Sequence, residues 1–279
     1  MSSPPTIAQS QQRAQTLGLA RIDAQLLHLH ALGRDLHDRA WLLAHDTDVL
    51  TDVQQHRCDQ ALQRRLKGEP VAYITGQKDF FGLTLNVDAR VLDPRPDTEI
   101  LVEWALELLP TAPQKTHRVL DLGTGSGAVA LALQQQRPAA QVTAVDTSAD
   151  ALAVASANAQ RLNLPVHFIH SHWMDAVTGP FDLIVSNPPY VADGDPHLAA
   201  LTHEPLQALT SGADGLQDIR QIIAQAPSRL IPGGWLLLEH GWDQAQAVQA
   251  LLRQAGFEKI ASHQDLAGGD RCTGGMKPI

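Results

Sequence analysis

Apolar residues follow two rhythms along this chain. Between residues 7 and 67 they recur at helical spacing, in Ile22, Leu26, Leu27 and Leu29 and then in Trp41 and Leu42, which predicts a cluster of short helices. Thr51-Asp52 is a helix cap ahead of Val53-Gln54-Gln55 and the stretch at 62–66. From Pro70 the pattern changes. Val71-Ala72-Tyr73-Ile74-Thr75 and Leu83-Thr84-Leu85-Asn86-Val87 are β-rich and flank a turn with Gly82, so they predict a hairpin. Pro94-Arg95-Pro96 breaks the chain. Asp97-Thr98-Glu99 then opens a helix, with acidic side chains at its positive end, that runs through Leu101, Val102, Trp104, Ala105 and Leu108.

After His117 the two rhythms alternate. Strands are predicted at 118–122, 141–146, 166–170, 182–186 and 235–239, and helices at 128–136, 149–162, 216–230 and 243–254. Strands alternating with helices give an α/β fold with a parallel sheet covered on both faces. A last edge strand is expected between Gly268 and Pro278. No internal repeat or low-complexity tract interrupts the pattern.

A chain of 279 residues is long for one compact domain, and suggests a large domain and a smaller one. Hydrophobic residues at 44% and charged residues at 18% suit an ordinary soluble globular protein. The net charge of −9 argues against a grip on duplex DNA, where phosphate neutralisation dominates affinity. The histidines of the helical segment (His28, His30, His37, His45, His56) have no carboxylate or cysteine cluster beside them and read as scattered surface residues. Cys58 and Cys272 lack metal-ligand spacing and read as ordinary thiols of a reducing cytoplasm. No metal is expected. The polar N-terminus lacks the apolar core of a signal peptide, and no apolar run approaches the roughly 20 residues of a membrane helix.

The first chemical motif is Val119-Leu120-Asp121-Leu122-Gly123-Thr124-Gly125-Ser126-Gly127, an apolar strand that enters a glycine-rich turn and then a helix. Glycines are needed where backbone turns sharply and a ligand approaches closely. Asp146 ends the next predicted strand about 20 residues on, where a carboxylate accepts hydrogen bonds from ribose hydroxyls. A dinucleotide or S-adenosylmethionine fits that pair, and a tight turn without a ligand is the plain alternative. The spacing departs from the dinucleotide fingerprint, and Asp121 would repel a pyrophosphate but serve a cationic sulfonium ligand.

The second motif is the strand at 181–186 ending in Asn187-Pro188-Pro189-Tyr190. An NH2 group conjugated to a carbonyl or an aromatic ring is a poor nucleophile, because its lone pair is delocalised. The Asn187 side-chain oxygen and the Pro188 carbonyl can each accept one of its hydrogens, fixing the nitrogen as positive charge builds on it. The prolines lock the turn, and Tyr190 can stack on the planar group. The methylated nitrogen sheds a proton after transfer, so no strong base is needed.

The turn also resembles that of DNA adenine-N6 methyltransferases, which would need a target-recognition region and a basic groove for a flipped base. A cofactor-binding regulator without catalysis would have no use for it. The whole chain resembles the bacterial protein-(glutamine-N5) methyltransferases that act on peptide-chain release factors, the PrmC/HemK family. The resemblance is carried by Glu69-Pro70-Val71-Ala72-Tyr73-Ile74-Thr75-Gly76, Phe80-Phe81-Gly82-Leu83, Pro94-Arg95-Pro96-Asp97-Thr98-Glu99, the two motifs above, Glu204-Pro205-Leu206-Gln207-Ala208-Leu209 and Leu237-Leu238-Glu239-His240-Gly241. Thr202-His203 stands where the family often has Arg and an aromatic residue, and 272–276 is less regular than the family's last strand.

The resemblance implies a small helical N-terminal substrate-recognition domain (1–69), a β-hairpin linker (70–92) and a seven-stranded Rossmann-like class I methyltransferase domain (93–279). It implies transfer of a methyl group from S-adenosylmethionine to the glutamine amide in the Gly-Gly-Gln motif of class 1 release factors, in the cytoplasm. A monomer is the default expectation, with no direct contact to nucleic acid or membrane. It assigns the cofactor to Gly123, Thr124, Gly125, Ser126, Gly127, Asp146, Trp173 and Asn187. The glutamine amide falls to Asn187, Pro188, Pro189 and Tyr190, with Arg95-Pro96-Asp97-Thr98-Glu99 near the cofactor pocket.

Overall fold

The computed structural model describes residues 4–110 and 116–279, so the first three residues of the polar N-terminus lie outside it. The chain forms two compact units. One runs to Gln77 and takes in Ala200–His203; the other comprises Lys78–Ala199 and Glu204–Ile279.

The first unit is helical: α1 (Ile7–Thr16), α2 (Arg21–Ala31), α3 (Arg39–Ala44), α4 (Asp52–Leu66) and α5 (Val71–Thr75). Thr6 and Thr51 each close a capping box at the start of α1 and α4, satisfying backbone donors that a helix leaves free. Leu29, Leu42, Leu50 and Cys58 pack into one apolar cluster. His28 corrects the surface reading of the histidines. It is buried, with Nδ1 2.6 Å from the Ala24 carbonyl and Nε2 2.9 Å from Ser10 Oγ. Helix α5 corrects the predicted hairpin. Its β-branched residues suit a strand in isolation, but Pro70 precedes it, Gly76 ends it in the left-handed region (φ 76°), and Ala72, Tyr73 and Ile74 are all buried within the helical turn.

The hairpin forms one step later, from β1 (Gln77–Phe80) and β2 (Leu83–Asn86). After α6 (Thr98–Leu108) come β3 (Arg118–Leu122), α7 (Ala128–Gln136), β4 (Gln141–Asp146), α8 (Ala149–Leu162), β5 (Val166–His170) and β6 (Phe181–Ser186). The chain closes with α9 (Gln217–Gln225), β7 (Leu230–Glu239), α10 (Ala245–Gln254), β8 (Glu258–Gln264) and β9 (Asp270–Met276).

The seven-stranded sheet has the order β5-β4-β3-β6-β7-β9-β8, parallel from β5 to β7. The last strand, β9, lies inside the sheet, antiparallel to both β7 and β8, with register shifts in its ladder to β8. The edge belongs to β8, whose polar sequence Glu-Lys-Ile-Ala-Ser-His-Gln hides it from periodicity. The inner strands β3 and β6 are mostly apolar and buried, as strands covered by helices on both faces are.

One polar side chain ties the hairpin to the glycine loop. Asn158 of α8 is fully buried. It accepts from Asn86 N at 2.8 Å and donates Nδ2 to Asn86 O (2.9 Å) and Ser126 O (3.0 Å). Replacing Asn158 by Leu removes the partner of all three backbone groups and leaves the Ser126 carbonyl buried without it. It should lower unfolding free energy by about 1–3 kcal/mol in denaturant melts, and a loss near zero would show that the clamp contributes nothing.

Candidate active site

The ladder register gathers four strand ends into one row. Leu122 of β3 pairs with Val145 of β4 and with Ser186 of β6, and Ser186 pairs with Leu238 of β7. The next residues, Gly123, Asp146, Asn187 and Glu239, therefore lie side by side at the carboxyl ends of the strands, where open α/β sheets take ligands. A cavity opens there, and Gly123, Thr124, Gly125, Ser126, Asp146, Trp173, Asn187 and Pro189 line it. Gly127, Pro188 and Tyr190 are not part of its lining. Gly127 is tightly packed: a Cβ there would lie 3.0 Å from Leu131 Cδ1 and 3.2 Å from Ala155 Cβ.

The glycine loop is held from below by carboxylates. Asp146 Oδ2 accepts from Gly125 N at 2.9 Å and its Oδ1 from Ser148 N at 2.9 Å. Burial raises its pKa against these backbone donors. Each oxygen keeps a second lone pair, which leaves room for a ligand hydroxyl. Asp121 is 1% exposed and accepts from Thr124 Oγ1 at 2.7 Å. Burial, helped by the nearby charge of Asp146, pushes its carboxyl up to about 7. Gly123 has φ 70°, and a Cβ on it would sit 3.4 Å from the Trp173 ring, so the indole closes on bare backbone. Trp173 itself has φ 44° and donates Nε1 to Asp218 Oδ1 at 3.2 Å.

These groups settle which ligand the cavity suits. Its floor is acidic, and Arg90, which also lines it, is engaged by Asp88 at 2.7 Å. A pyrophosphate would meet the buried carboxyl of Asp121 and the half-buried one of Asp146, whereas the sulfonium and ammonium groups of S-adenosylmethionine are complementary to them. Its nucleoside has Asp146 for the ribose and the apolar wall of Val91, Leu92 and Val129. The residues present fit S-adenosylmethionine.

The Asn187-Pro188-Pro189-Tyr190 turn is braced on several sides. Ser186 Oγ donates to Leu122 O at 2.8 Å, and Gln244 Nε2 donates to Tyr190 O at 3.0 Å. A Cβ at Gly215 would lie 2.2 Å from Tyr190 O, so only glycine lets the two segments meet. Asn187 Nδ2 donates to Thr98 Oγ1 at 3.1 Å, and Tyr190 Oη donates to Glu239 Oε1 at 3.4 Å. Burial and the Glu239 charge raise the Tyr190 phenol, which therefore stays protonated.

The Arg95 segment lies beside the site as expected. Pro94 and Thr98 line the cavity, and Arg95 Nη2 donates to Glu204 Oε1 at 2.6 Å. That bond ties it to the loop whose Pro205, Gln207 and Ala208 close another side of the cavity. Asp97 pairs with Arg271 at 3.2 Å, and Glu99 accepts from Phe81 N at 2.8 Å, so both acidic groups at the start of α6 have partners outside it. Asp218, which holds Trp173, and Glu239, which accepts from Tyr190, were not singled out from sequence as site residues. Their links are spatial, and no spacing within the sequence signals them. Among the described residues no three His, Cys, Asp or Glu side chains are grouped to hold a metal ion.

Residues 98–216 match the family Methyltransferase small domain, and residues 7–76 match PrmC N-terminal domain. A release factor glutamine methyltransferase of Bordetella pertussis is 51% identical over 92% of this chain and 95% of its own. One from Xylella fastidiosa is 48% identical over 95% of this chain and 96% of its own. Among solved structures, the 16S rRNA N2 G1207 methyltransferase of T. Thermophilus, in complex with AdoMet and guanosine, superposes with a TM-score of 0.56. It is 21% identical and matches 72% of this chain and 49% of its own, a likeness of fold.

The acidic floor has a consequence for pH. With a carboxyl pKa of about 7, Asp121 is largely protonated at pH 6 and ionised above pH 7. A cationic ligand favours the ionised form, so at the lower pH binding must expel a proton. S-adenosylmethionine affinity should rise as pH increases from about 6 to 7.5 and flatten in Asp121→Asn. Calorimetry in buffers of different ionisation enthalpy reads this directly, and a pH-independent affinity in the wild type would refute the role given to Asp121.

Proposed function

Because the chain belongs to the release factor glutamine methyltransferase family, we propose that it methylates the side-chain amide N5 of the glutamine in the Gly-Gly-Gln motif of class 1 peptide-chain release factors. S-adenosylmethionine is the donor, and the reaction modulates translation termination. The observation that carries this reading is the position of Asn187, one strand away from the glycine loop, on the same edge of the sheet and in the wall of the same cavity.

S-adenosylmethionine, when bound, supplies an electrophilic methyl group on a sulfonium. The protein's residues do the rest. The 123–127 loop and Asp146 hold the nucleoside, and Trp173 forms the wall against Gly123. Asn187 Nδ2 is committed to Thr98, which leaves Oδ1 as the open acceptor. Oδ1 and the Pro188 carbonyl accept the two hydrogens of the incoming amide, fix its plane and favour positive charge on its nitrogen. Tyr190, kept neutral by burial, offers its ring as a wall for the planar group. The proton leaves to solvent after transfer.

The adenine amine of a DNA substrate would need the same two acceptors, so the turn alone does not choose between them. The net charge of −9 and relatives that match nearly the whole chain favour a protein acceptor. The helical unit serves release-factor recognition, and the protein acts as a monomer in the cytoplasm. Among the described residues no helix is long and apolar enough to cross a membrane.

The purified protein should transfer label from methyl-labelled S-adenosylmethionine to a single glutamine of a class 1 release factor, located by peptide mass spectrometry. Label on DNA, or on the factor at another residue, would overturn the proposal. Asn187→Ala removes one of two oriented acceptors and should lower kcat by about 10²–10³-fold, with cofactor affinity far less affected. Wild-type turnover in that variant would refute the role of Asn187.

A further inference from the structure

Two large apolar side chains are left in water on segments bonded to the end of the catalytic turn. Trp242 is 69% exposed and Leu206 62%. A single exposed apolar residue is common and needs no explanation. These two differ in where their segments are tied. Trp242 lies in the 240–244 loop, which follows the strand-end row at Glu239. Within that loop Gln244 Oε1 accepts from Gly241 N at 2.8 Å, and Gln244 Nε2 donates to Tyr190 O at 3.0 Å. Leu206 lies between Pro205 and Gln207, both of which line the cavity. Three residues on, Leu209 O accepts from Val191 N at 2.9 Å. Both segments are thus held to consecutive residues, Tyr190 and Val191, where the Asn187-Pro188-Pro189-Tyr190 turn ends.

The Gln244 amide is fixed in one sense. Gly241 N needs an acceptor and the Tyr190 carbonyl needs a donor, so an amide turned over would set donor against donor and oxygen against oxygen. Gly215 makes room for the strut, since a Cβ there would lie 2.8 Å from Gln244 Nε2. The loop is therefore braced on the turn while the Trp242 ring, two residues away, faces water. That ring suits one kind of partner. Glycines carry no side chain, so a Gly-Gly-Gln segment can lie flat against an indole face. The indole N–H can donate to a peptide carbonyl of the same segment. A protein whose glutamine reaches Asn187 must also cover the mouth of the cavity, beside which Leu206 stands.

We propose that Trp242 and Leu206 form the docking surface for the release-factor loop that carries the glutamine, with Trp242 against the backbone beside that glutamine and Gln244 holding this platform to the turn that receives the amide. The proposal rests on the reading that a release-factor glutamine is the methyl acceptor. It gives the enzyme a means of choosing a glutamine by its neighbours. Any primary amide can satisfy two acceptors, but only one in a flat, exposed loop also covers the indole.

Trp242 is exposed, so its truncation removes contact surface without opening the core. Trp242→Ala should raise KM for the release factor by about 10–100-fold, the usual cost of truncating a tryptophan at the centre of an interface. Cofactor affinity and kcat should change far less, and Trp242→Phe should recover most of the loss. Leu206→Ala should raise KM by a smaller factor. Gln244→Glu keeps the acceptor for Gly241 N but sets an oxygen against the Tyr190 carbonyl, so it should lower kcat as well as raise KM. Calorimetric binding of the factor, with S-adenosylhomocysteine present, gives a readout independent of turnover. If Trp242→Ala binds the factor as tightly as the wild type and keeps its KM, the docking proposal is overturned. If the wild type binds the factor but methylates no glutamine in it, the substrate reading fails, and the binding difference between wild type and Trp242→Ala still decides whether the factor docks there.

Discussion

The hydrogen-bonded register of three parallel strand pairs is the constraint on which this site depends. Because Leu122 faces both Val145 and Ser186, and Ser186 faces Leu238, the chain leaves the sheet at the same level on four neighbouring strands. The residues at that level are a glycine, two carboxylates and an amide. A slip of one residue on any strand would reverse its side chains and remove its member from the row. The apolar strand interiors, buried on both faces, make such a slip costly, so the stability of the core and the geometry of the site have one cause.

The same edge concentrates buried acid. Asp121 and Glu239 are both enclosed, and burial pushes each carboxyl up to about 7. Their surroundings give them different tasks. Asp121 meets Thr124 and the glycine loop beside the cavity, so its charge is available to a cation bound there. Glu239 lies outside the cavity lining and accepts from the Tyr190 hydroxyl, so it contacts the turn and not the ligand. An electrostatic site of this kind is made in advance of the ligand, which is what a transfer to a weakly nucleophilic nitrogen requires.

Much of this was legible in the sequence. The strands at 118–122, 141–146 and 166–170 and the helices at 128–136 and 149–162 form where periodicity placed them, because their apolar runs and their Ser148 and Gly127 starts agree with the tertiary packing. The failures share one origin. Val71–Thr75 has strand-like residues, but the helical unit buries its Ala72, Tyr73 and Ile74 as a turn of helix, and local propensity yields to that. Strand β8 was missed because an edge strand needs no apolar alternation, and β9 was placed at the edge for want of it. Of the expected site, Gly123, Thr124, Gly125, Ser126, Asp146, Trp173, Asn187 and Pro189 line one cavity, and Gly127 packs closely against Leu131 and Ala155. Thr98 and Glu239 lay in plain view as a helix start and a strand end. Only the fold brings them to opposite ends of one turn.

The central claim is geometric: Asn187 offers its oxygen, beside the Pro188 carbonyl, to a planar amide. A crystal structure of the protein with S-adenosylhomocysteine and a release factor tests it most directly. The account predicts the glutamine amide nitrogen within hydrogen-bonding distance of both Asn187 Oδ1 and Pro188 O, with Asn187 Nδ2 still on Thr98. A glutamine amide held elsewhere, or Asn187 turned with its Nδ2 toward the substrate, would contradict it.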